Sequence, residues 1–152
     1  AVFSDAAGPN PREVALRVAA VNQPLIAEKE AEALAHLDIR NRGLNQLRQI
    51  VLTEASHGEH LDAATMRARV IDAGGGEALV RAEAHVVPGD SWALAGAEPV
   101  EALMRWREAA HLHVRETDLP KELREAGEKV ARDDDEVALD ELYGLVRRRE
   151  VF

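Results

Sequence analysis

The sequence predicts an α+β domain, predominantly α-helical, in which a long central helix carries a small β-hairpin or meander and a C-terminal helical cluster. Three observations lead there. From Pro24 to about Leu52, the apolar residues Ile26, Ala33, Leu37, Leu44 and Val51 fall within roughly 40° of one another at 3.6 residues per turn, and this phase runs through Gly43. The period then changes, because Met66 to Val70 and Val80 to Val86 alternate apolar and polar residues on either side of Gly74-Gly75-Gly76. From Pro99 onward it is helical again.

Taken in order, residues 1–10 contain Gly8, Pro9 and Asn10 without a clear period and form an extended arm. Asn10-Pro11-Arg12-Glu13 is a helix start, with Asn as cap, Pro in the first position and Glu in the third. That helix runs to about Val21, burying some combination of Val14, Leu16, Val18 and Val21. Pro24 pushes Gln23 away from helical dihedrals and separates it from the long helix. A second apolar face on the long helix, Leu25, Ile39 and Ile50, lies about 120° from the first, so either this is the central helix of the domain, packed between layers, or one face meets another subunit.

In the hairpin region, 62–95, pairing Arg67 with Glu83 and Arg69 with Arg81 sets Met66, Ala68, Val70, Val80, Ala82, Ala84 and Val86 on one face. Ala and Glu are poor strand formers, so a helical reading of both segments stands as the alternative. Over 98–150, Val100, Leu103, Met104, Ala110 and Val114 make one helical face with Trp106 at its edge. Asp118 and Pro120 start a further helix, and Asp133 to Asp135 begin the last, which ends at Arg147 to Arg149. Residues 1–152 together are the length of one domain.

Composition narrows the function classes. Aromatic residues are 3% of the chain, which leaves few rings for stacking bases or sugars, and a net charge of -9 repels phosphate at long range. Nucleic acid is therefore a disfavoured partner. With no Cys, thiol chemistry is excluded. There is no apolar run of membrane-spanning length and no basic segment leading into an apolar run, so the expectation is a cytoplasmic or virion protein without a membrane partner.

The sharpest chemical motif is the pair Glu54-x-x-His57 and Glu108-x-x-His111, which puts each carboxylate and imidazole on one helical face. This resembles a ferritin-like di-iron arrangement, and the resemblance implies iron or manganese as cofactor. Such bundles need two further Glu on separate helices, whereas Glu28, Glu30 and Glu32 precede Glu54 on its own helix and Glu77 and Glu83 fall in the hairpin region. No cofactor is thus the leading expectation. His57 and His60 with Glu59 lie at a helix end, while His111 and His113 point about 200° apart on a helix and cannot share an ion.

Arg67, Arg69 and Arg81, with His85, make a basic stripe on the polar face of the hairpin, suited to an acidic partner surface. In the helical alternative the same stretch is a helix-turn-helix with Pro88 to Leu94 as a wing, the basis of a winged-helix DNA-binding reading. Ser4, Ser56 and Ser91 sit in no nucleophile motif, and Gly74-Gly75-Gly76 matches no phosphate-binding loop. The sequence therefore predicts a non-enzymatic protein that binds other chains, as a homo-oligomer or a structural subunit of a larger, virion-like assembly. A winged-helix regulator and a ferritin-like di-metal protein are the alternatives.

Overall fold

The computed structural model describes residues 9–58, 60–133 and 136–151; most of the extended arm and most of the acidic run at 133–135 lie outside them. Among the described residues there is no strand, so the expected α+β class with a β-hairpin gives way to a purely helical fold. No helix of the described residues is long and apolar enough to cross a membrane. The chain divides into two compact units, one ending at Ala110 and one beginning at His111.

The first unit is organised around α1, Pro11–Asn22, rather than around the stretch from Pro24 to Leu52. Asn10 caps it, its side chain accepting from the amides of Arg12 at 2.8 Å and Glu13 at 3.4 Å. Every residue from Val14 to Asn22 is buried, which makes α1 a helix enclosed on all sides. The ring of Trp106 closes over it and donates from Nε1 to the Leu16 carbonyl at 2.9 Å.

The expected single long helix is three: α2, Pro24–Lys29, α3, Ala31–His36, and α4, Arg42–Ala55. The decisive break spans 37–41 and has two causes. Asn41 caps α4, accepting from the Leu44 amide at 3.0 Å, a competing helix start inside the periodic stretch. Arg17, fully buried on α1, donates to the carbonyls of Leu34 at 3.5 Å and Leu37 at 3.1 Å, and Arg48 donates to Ala35 at 3.1 Å. The carbonyls that end α3 are thus satisfied without continuing the helix. The apolar stripe survives the bends, since Ile26, Leu37, Leu44 and Val51 are all buried.

The expected hairpin is a pair of helices, α5, Ala63–Val70, and α6, Gly76–Ala84, joined by a wide helical turn at Ile71–Gly75. Asp62 caps α5 through the Thr65 amide at 2.7 Å, and that bond together with the Thr65 side chain holds its carboxyl below the usual carboxylate range. Gly74, at φ +91°, reverses the chain. Met66 and Val70 are buried, as are Leu79 and Ala82, while Ala68, Val80 and Ala84 are exposed. An alternating strand face would have buried them together. The segment foreseen as a wing is a short 3-10 stretch at Pro88–Ala93, kinked at Asp90.

Helix α7, Pro99–His113, begins at a side-chain cap from Glu98 and turns Ala102, Leu103, Trp106 and Ala110 inward. Trp106 is therefore the centre of its apolar face and not the edge, and Val100 and Met104 are exposed. In the second unit, a wide turn at Val114–Asp118 leads to α8, Leu119–Asp133, and then α9, Glu136–Val151. Arg148 pairs with Glu122 at 2.7 Å and Lys129 with Glu141 at 4.0 Å, so α8 and α9 run antiparallel.

Candidate functional site

The α5–α6 pair is held to the core by a polar network at the end of α1. Asn22 donates to the Glu83 carboxylate and to the Ala93 carbonyl, each at 3.3 Å, and Gln23 donates to the carbonyls of Leu94 and Ala97 at 3.4 and 3.1 Å. Arg67 on α5 grips the same carboxylate with both terminal nitrogens, at 2.9 and 2.7 Å. Burial pushes the Glu83 carboxyl up, but hydrogen bonds from Arg67 and Asn22, with the guanidinium charge, outweigh it and hold the group below the ordinary glutamate range. The bond to Glu83 in turn raises Arg67 above its usual value. The pairing of Arg67 with Glu83 foreseen across a hairpin is made, but between two helices.

The other arginines of the expected stripe are also engaged within the chain. Arg69 donates to Glu54 at 3.0 Å, and Arg81 pairs with Glu77 one turn away at 2.7 Å. Among the metal candidates, Glu54 therefore faces Arg69, with His57 Nδ1 at 3.7 Å. Glu108 and His111 sit on exposed positions of α7. Among the described residues no group of three or more acidic or histidine side chains is placed to hold a metal ion. Of the proposed second face, Ile39 is buried, while Leu25 and Ile50 are half-buried. Ile50 points at Gly75, where its Cδ1 would lie 2.7 Å from an added Cβ.

What the sequence reading missed is the outer face of α6. Val80 is 62% exposed and Ala84, one turn on, is exposed too. Ile71, 52% exposed, lies against Gly76, one turn before Val80. Val87, just past the helix, is also exposed. Glu77 and Arg81 flank this apolar strip. The signal was present as Gly76, Val80 and Ala84 at intervals of four, but it is hidden when the segment is read at a period of two. No family model, curated protein or solved structure matches this chain.

Proposed function

We propose that this chain is a non-enzymatic protein-interaction subunit that pairs with a second copy of itself through the outer face of α6. The observation that carries the reading is the exposed strip Ile71, Val80 and Ala84 bordered by one acid and one base. A two-fold contact uses the same patch on both copies and so must be self-complementary. With two α6 helices antiparallel and centred level with Leu79, Glu77 of each copy lies opposite Arg81 of the other, and the Val80 side chains meet near the axis. The face is short, so the contact falls near the lower limit of specific interfaces, about 1,200 Å² in total, and its assembly depends on concentration.

Native mass spectrometry and light scattering over a concentration series test this. The expected result is a dimer at about 100 µM that dissociates on dilution, and a Val80→Glu variant that stays monomeric with the same helical content, since an exposed substitution costs within about 0.5 kcal/mol. A wild-type chain that remains monomeric throughout, or a Val80→Glu dimer as tight as wild type, overturns the proposal.

The helical state of residues 63–84 is what the winged-helix reading requires. That reading is weaker on electrostatic grounds. Arg67 and Arg69 are held by half-buried carboxylates of their own chain, which leaves Arg81, in an exposed pair with Glu77 that can open, as the cation of the stripe that phosphate can reach, and counterion release from DNA needs several such cations. Duplex binding in gel shifts at low salt, weakening steeply as salt rises, would favour it over self-association.

A further inference from the structure

A cleft of about 480 Å³ opens between α2, α3, the last turn of α4 and the start of α5. It exists because the residues around it are small. Ala27 on α2 and Ala31 at the start of α3 line one side and Ala55 and Gly58 the other, so the backbones frame a space that no side chain fills. Leu52, Leu61 and the buried Met66 complete an apolar interior. The volume lies in the range of small-molecule sites, which pair a mainly apolar lining with a few polar groups that fix orientation.

Among the described residues the polar side chains lining this cleft are Glu28, Ser56 and His60, and the first two face it as acceptors. Ser56 Oγ gives its proton to the Thr53 carbonyl at 2.7 Å, leaving lone pairs to offer. Glu28 offers its carboxylate, with His60 Nδ1 at 3.7 Å, beyond hydrogen-bond range. The His60 side chain is 89% exposed and can swing aside at little cost. A head group that suits this mouth must donate hydrogen bonds and carry positive charge; a carboxylate or phosphate head would meet the Glu28 charge directly.

We propose that the cleft binds a small amphipathic amine, its hydrocarbon body among Ala27, Ala31, Leu52, Ala55 and Met66 and its ammonium on the Glu28 carboxylate. Displacing His60 from Glu28 accompanies binding. The site is separate from the outer face of α6, and the proposal does not depend on self-association.

The test uses the full chain and three probes of one chain length: n-octylamine, 1-octanol and octanoate, each titrated while amide shifts are followed by NMR. The expected result is saturable shifts at Ala27, Ala31, Ala55 and Gly58 with octylamine, binding at least about ten-fold tighter than octanol and with octanoate weakest. Glu28→Gln, at a half-exposed position, should reduce octylamine to the affinity of octanol. Ala55→Phe should abolish binding of both by filling the space, with shifts away from the cleft retained as proof of folding. Equal affinity for octylamine and octanol, tighter binding of octanoate, unchanged octylamine affinity in Glu28→Gln, shifts clustered elsewhere, or no saturable binding each overturn the proposal.

Discussion

Glu83→Gln keeps the size of the side chain that ties α5, α6 and α1 together and removes its charge. Glu83 accepts from Arg67 at 2.9 and 2.7 Å and from Asn22 at 3.3 Å. Gln keeps one acceptor oxygen and turns the other position into a donor facing groups that are themselves donors. A charge-assisted hydrogen bond contributes up to about 3 kcal/mol, whereas an exposed ion pair contributes under about 1 kcal/mol. With the Arg67 and Glu83 side chains 36% and 21% exposed, this pair falls between those limits, and the change should cost about 2 kcal/mol. Urea denaturation followed by circular dichroism measures it. In an Arg67→Met background the same change should cost at least about 1 kcal/mol less, because the shared bonds are already gone.

Acid titration gives an independent check. The folded Glu83 carboxyl lies below its unfolded value, so its contribution is complete above the unfolded pKa of about 4.3 and is lost as pH falls through the lower folded value. The stability difference between wild type and Glu83→Gln should therefore shrink on acidification below about pH 4. If the Arg67 and Glu83 changes add within about 0.5 kcal/mol and the difference is independent of pH, the pair is not what joins these helices.

Three further substitutions test a buried donor and the turn between α5 and α6. Arg17→Met removes the donor to the Leu34 and Leu37 carbonyls, leaves acceptors unpaired, and should cost about 3 kcal/mol while speeding hydrogen exchange in 37–47; unchanged exchange there would show that Arg17 does not hold the break. Gly75→Ala places a methyl 2.7 Å from Ile50 Cδ1 and 2.9 Å from Val70 Cγ1, an overpacking of about 1–3 kcal/mol that Ile50→Val should partly relieve. Gly74→Ala has open space but φ +91°, so its cost of about 1–2 kcal/mol is conformational and Ile50→Val should not change it. Equal relief of both by Ile50→Val contradicts that division.

Wherever a local rule has one strong reading, the sequence was sufficient. Asn10-Pro11 starts α1 as its chemistry requires, Pro24 ends the run before it, and Val14, Leu16, Val18 and Val21 are all buried. The helices after Pro99 were legible from their period, but that period set Trp106 at the edge and Val100 and Met104 on the apolar face, whereas Trp106 is buried and the other two are exposed. The helical alternative for residues 61–87 was legible as well, through the weak strand propensity of Ala and Glu.

Tertiary structure decided what short patterns leave open. Five to seven residues of alternating Ala, Arg and Val satisfy a strand face, but Met66 with Val70 and Leu79 with Ala82 are buried at helical spacing once Asp62 caps α5 and Gly74 turns the chain. The 37–41 break likewise depends on Arg17, which reaches carbonyls 17 and 20 residues away along the chain. Periodicity reports which residues face inward. It does not contain the distant donor that lets a helix end, and that difference separates α3 from α4 beside a buried α1.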